Sequence, residues 1–98
     1  MTRIEIHCAW PDDIVQRIEA VFAAHGFSQT LKGTLRGFPG CTHWHFKNGR
    51  EAGTLEVTAW PSEQRLWLSV QYRRRAKWID QTLPTLKREL ERTLGDAN

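Results

Sequence analysis

The feature that most limits what this chain can fold into is a run of three alternating stretches, Cys41–Lys47, Thr54–Trp60 and Arg65–Tyr72. In each, apolar side chains recur at every second position, the period of a strand with one buried face. Trp44 and Phe46 fall on one side of the first stretch, and Cys41, His43 and His45 on the other. In the second, Leu55, Val57 and Ala59 oppose Thr54, Glu56, Thr58 and Trp60. In the third, Leu66, Leu68, Val70 and Tyr72 oppose Arg65, Trp67, Ser69 and Gln71. A slip of one residue turns a whole apolar set to the wrong face, so the pattern also restricts register. Setting Phe46 across from Leu55 and Trp44 across from Val57 puts His45 opposite Glu56 and His43 opposite Thr58. A tight loop at 61–64 then puts Trp60 opposite Arg65 and Thr58 opposite Trp67.

The flanks supply the second layer. Thr2–Cys8 reads as a short strand with Ile4, Ile6 and Cys8 inward. Trp10-Pro11-Asp12-Asp13 starts a helix, since proline suits its first turn and the aspartates complement its dipole. Ile14, Ile18, Val21, Phe22 and His25 recur at helical spacing, with Val15 at the edge, and Gly26 ends the helix. Residues 27–36 resume as a weakly apolar edge strand, with Gly33 and Gly37 as bends, before a turn at 37–40. Beyond Arg73-Arg74-Arg75-Ala76-Lys77, the residues Trp78, Ile79, Leu83, Leu86, Leu90 and Leu94 trace a long helix closed by Gly95, and residues 96–98 should fray. Pro84 conflicts with that helix, because interior proline costs ~3 kcal/mol. Either the regular helix begins near Asp80–Thr82 or a longer one is kinked.

The order strand, helix, four strands, helix predicts one α+β domain over residues 1–98. Its architecture is a two-layer sandwich, a curved antiparallel sheet with two helices on one face. This order resembles that of a TATA-binding-protein half-repeat and, more loosely, the helix-grip folds, in which a long last helix backs a saddle-shaped sheet. The resemblance is one of topology, and it implies that the open face of the sheet is the working surface.

Five tryptophans and four phenylalanines suffice for one modest core in a chain of this length. No stretch approaches the ~20 apolar residues of a membrane span, so no membrane partner is expected. Arg3, Glu5 and His7 interrupt any apolar run behind Met1, so no secretory leader is expected and the location reads as cytoplasmic. Cys8 and Cys41 fall on opposite faces by parity, which predicts two thiols and no disulfide. A net charge of +3 permits an anionic partner without requiring one.

The face away from the helices carries the candidate sites. Trp60 and Trp67, with Arg65 close enough to stack, make it a surface for a protein partner or a second copy of the chain, as in a homodimer. That non-enzymatic binding or self-association module is the leading reading, and it needs no cofactor. An alternative is a zinc or iron site at His43, His45 and Glu56, because two imidazoles at i,i+2 and a cross-strand carboxylate form a familiar ligand set. A further alternative is single-stranded nucleic acid, held by the sheet face and Arg73, Arg74 and Arg75. Against it, RNP motifs are missing and Glu51, Glu56 and Glu63 interrupt the positive field. No catalytic residues are assigned: Cys41 and His43 are neighbours on one strand with no oxyanion loop, and Asp12 and Asp13 serve the helix start.

Overall fold

The computed structural model describes residues 1–96, which form β1 (Thr2–Ile6), α1 (Ile14–Ala24), β2 (Ser28–Gly33), β3 (Thr42–Lys47), β4 (Leu55–Trp60), β5 (Arg65–Val70) and α2 (Lys77–Leu94). The strands make one antiparallel sheet in the order β1-β5-β4-β3-β2. The register follows the alternation. Phe46 pairs with Leu55, Trp44 with Val57, His45 with Glu56 and His43 with Thr58, while Trp60 pairs with Arg65 and Thr58 with Trp67.

Both helices cover the face that carries the even positions of β3, β5 and β1 and the odd positions of β4. Ile18 and Phe22 of α1 and Ile79, Leu86 and Leu90 of α2 are fully buried against Trp44, Val57, Leu66 and Leu68. Phe22 stacks on Phe46 at a centroid distance of 4.2 Å. Trp44 is equally buried, and its Nε1–H donates to Glu19 Oε2 at 2.9 Å, so its one polar atom is satisfied. Lys32 pairs with the same carboxylate oxygen. Hydrogen bonds from Lys32 and Trp44 hold the Glu19 carboxyl below its ordinary range against the opposing effect of burial. His25 caps α1, and its Nε2 meets Glu89 of α2 at 2.8 Å, tying the two helices together.

Several boundaries differ from the sequence reading. β5 ends at Val70, whose partner is Thr2 at the very start of β1, so the ladder has nothing left for Tyr72 on that side. On the other side Gly53 bends the chain away at φ +102°, and Thr54 N–H donates to the Arg74 carbonyl. Tyr72 therefore leaves the sheet in a short 3₁₀ turn, Tyr72–Arg74, and is 82% exposed where an inward position was expected. α2 is the longer of the two helices considered, running from Lys77 through Pro84. Burying Trp78 and Ile79 in its first turn is worth about 1.5–3 kcal/mol each, which offsets the ~3 kcal/mol of an interior proline. Regular hydrogen bonding in α1 begins at Ile14; the Asp13 side chain pairs with Arg17 and makes no capping bond. β2 is an edge strand, exposed along its length, with its irregularity between Gln29 and Leu31 instead of at a glycine. Cys8 lies in the core and Cys41 on the opposite face, both as free thiols. Burial pushes the Cys8 thiol up to about 11. Among the described residues no helix is long and apolar enough to cross a membrane. The fraying expected at Ala97 and Asn98 lies outside the described residues.

Candidate metal centre

The second face of the sheet is divided in two by the segment between β2 and β3. Phe38 sits edge-on to Trp60 at 5.0 Å and to Trp67 at 5.3 Å, and Trp60 Nε1–H donates to the Pro39 carbonyl at 2.9 Å. Arg3 and Arg65 lie over the Trp67 ring at 4.6 and 4.9 Å, and Arg65 also pairs with Glu5. Trp67 is consequently only 2% exposed. Of the aromatic platform expected to face solvent, Trp67 is covered by the chain's own loop and side chains, whereas Trp60 is half-buried. Parity sends Trp67 away from the helices as expected, but parity alone says nothing about a loop that returns across the sheet.

The other half of this face is open, and the three proposed ligands meet on its floor. His43 and His45 leave β3 on the same side, and Glu56 faces them from β4. His43 Nε2 lies 3.2 Å from His45 Nε2 and 3.3 Å from Glu56 Oε1, and His45 Nε2 lies 3.7 Å from that oxygen. The two Nε2 atoms are within hydrogen-bonding distance of each other, and both histidines lie within ion-pair range of Glu56. Charge-assisted hydrogen bonds between an imidazolium and a carboxylate run at about 2.7–2.9 Å, shorter than either histidine–Glu56 distance here. Ligand atoms around tetrahedral zinc are about 3.3 Å apart, from bond lengths of about 2.05 Å. Octahedral neighbours at about 2.1 Å would be closer, near 3.0 Å. A point about 2.05 Å from all three atoms exists roughly 0.5 Å above their plane, against about 0.7 Å in an ideal tetrahedron. The triangle is close in size to one face of a zinc tetrahedron.

The surroundings of His43 bear on its protonation. His43 Nδ1 is 2.8 Å from Thr58 Oγ1; a proton on Nδ1 donates to that hydroxyl and leaves the Nε2 lone pair facing Glu56. Burial lowers the His43 pKa, Glu56 opposes that shift, and His45 adds to it. The balance favours neutral imidazole, the form that binds metal. His43 and Glu56 are buried and His45 is half-buried. All three protrude from adjacent strands, whose ladder fixes their backbones.

Above this floor stands a cleft of about 650 Å³. Leu31 and Leu35 form one wall, and Tyr72, Arg73 and Arg74 the other. Sequence reasoning placed Arg73 and Arg74 with this face but missed Tyr72, because it kept that residue in a strand with its side chain inward. The arginines divide: Arg73 and Arg74 line the cleft, whereas Arg75 is tied to Asp80 and Thr2. Cys41, on the same face as the histidines, is only 1% exposed, and its sulfur accepts from the Leu35 N–H, so it stands outside the ligand set. Compared with known proteins, the chain gives no match to a family model, a curated protein or a solved structure.

Proposed function

We propose that this chain is a binding module whose open sheet face holds a divalent metal, zinc by preference, on His43, His45 and Glu56. One observation carries the reading: three ligand-type atoms from adjacent strands converge at separations of 3.2, 3.3 and 3.7 Å, the spacing of a tetrahedral face. All three residues line the cleft, so an ion held by them would be a docking point for a small molecule. Binding is favoured over hydrolysis. Zinc on two histidines and a carboxylate with one open position can also activate water, but among the described residues the cleft lining offers no second carboxylate to act as a general base beside it. Unpaired thiols at Cys8 and Cys41 suit a reducing compartment such as the cytoplasm.

Titration of tag-free, chelator-treated protein with cobalt(II) tests the reading. The expected result is one equivalent bound, with tetrahedral d–d absorption and no sulfur-to-cobalt charge-transfer band. His43→Ala, His45→Ala and Glu56→Gln should each weaken binding by about tenfold or more. Cobalt bound equally by all four proteins, or by none, overturns the proposal.

A further inference from the structure

The rest of the cleft gives the module a ligand class. Arg73 and Arg74 pair with no carboxylate among the described residues, although five other lysines and arginines do. A divalent ion held by one carboxylate and two neutral imidazoles keeps one net positive charge, and two guanidinium groups lining the same cleft raise the total to three. Such a pocket selects against cations and rewards an anion, most of all one with two oxygens for a planar guanidinium. The walls select further. Only three large hydrophobic side chains are exposed among the described residues, and two of them, Leu31 and Tyr72, flank this cleft. A solvated surface has no need to hold them together, whereas an apolar ligand body does. The volume of about 650 Å³ is that of a small-molecule site.

We propose that the cleft takes a small organic anion, a carboxylate or phosphate monoester with a flat apolar body. Its charged end sits between the metal and Arg73/Arg74, and its body lies against Tyr72 and Leu31. This inference rests on the metal reading above.

Four probes separate the elements of the proposal: benzoate and phenyl phosphate, which carry both charge and ring; acetate, charge without ring; and benzyl alcohol, ring without charge. Each is titrated calorimetrically into zinc-loaded protein and, in parallel, into the cobalt form, where coordination of the anion changes the d–d bands. Benzoate or phenyl phosphate should bind at least about tenfold tighter than acetate and benzyl alcohol, and whichever is tighter identifies the anionic group. The double change Arg73→Ala, Arg74→Ala should cost about tenfold or more, and Tyr72→Ala should erase the advantage over acetate. All three side chains are exposed, so the fold should survive, and circular dichroism checks that it does. If cobalt binds but the four probes do not differ, or the arginine variant binds as wild type does, this inference is overturned and the metal reading stands. If cobalt fails to bind while benzoate binds in an arginine-dependent way, the metal reading is overturned and the anion site rests on the guanidinium groups alone. Failure of both overturns both.

Discussion

Replacing Trp67 by alanine separates a structural indole from an interaction anchor. The ring is 2% exposed, with Arg3 and Arg65 over it and Phe38 against its edge. A tryptophan buries up to ~250 Å², which at about 25 cal/mol per Å² sets an upper limit near 6 kcal/mol. Measured losses for a buried Trp→Ala are about 3–5 kcal/mol. The covering loop can partly collapse into the space, so the lower end applies, about 3 kcal/mol. For a chain of this size each kcal/mol moves Tm by about 4–8 °C, giving a drop of roughly 12–24 °C. Thermal unfolding followed by circular dichroism reads that drop, with light scattering on the same samples to report mass. Trp67→Phe, which keeps much of the apolar area, should lose less than half as much. The reasoning is refuted if Trp67→Ala melts within a few degrees of wild type while its mass by light scattering falls. In that case the indole serves a partner chain and not its own loop.

Three shorter predictions follow from neighbouring features. Glu19→Gln keeps an acceptor for Trp44 but loses the charge facing Lys32, a pair exposed enough to be worth only about 1 kcal/mol. Because folding lowers the Glu19 pKa, that advantage is present above the ordinary value of 4.5 and fades as pH falls through the folded value; urea unfolding of both proteins at neutral and acidic pH checks the convergence. Gly53→Ala places a Cβ 2.5 Å from that of Ala76 at φ +102°, so it should cost at least about 2 kcal/mol, and adding Ala76→Gly should recover only part of the loss, because the Arg74 carbonyl oxygen and Ile79 Cδ1 stay at 3.2 Å and the backbone strain is unchanged. Thr58→Val removes the oxygen 2.8 Å from His43 Nδ1 and should weaken cobalt binding by about 10–100-fold.

The sheet and its register were legible in the sequence because alternation is local and strict. Trp44 and Phe46 have to share a face, and once Leu55 and Val57 meet them, His45 meets Glu56 without further assumption. The His43–His45–Glu56 triangle was therefore visible as a list of cross-strand pairs, although its dimensions were not. What escaped was set by tertiary contacts with no period. Phe38 follows a glycine in a turn, and nothing in the turn says that its ring lands on Trp60 and Trp67. Tyr72 continues the apolar alternation of β5, but it lies past Thr2, the last residue of β1 able to pair with that strand. Where a ladder ends depends on its partner's length, which the strand's own residues do not encode.

The same alternation couples the site to the core. His43 and His45 are interleaved with Trp44 and Phe46, so the two sets cannot be displaced independently. Shifting β3 by one residue against β4 would bring the histidines under the helices and push Trp44 and Phe46 out into the cleft. Exposing two fully packed aromatic side chains costs several kcal/mol, and Trp44 would also leave its bond to Glu19. The energy that keeps His43, His45 and Glu56 together is thus largely hydrophobic and lies on the opposite face of the sheet from those side chains. Glu56 is locked in the same way, between Leu55 and Val57, both fully buried. A cluster of two imidazoles and a carboxylate has little reason to assemble unaided, since their nitrogens and oxygens each prefer water. Here the core offsets the desolvation of His43 and Glu56, because the pleat that buries every second residue delivers the remaining ones to a single point.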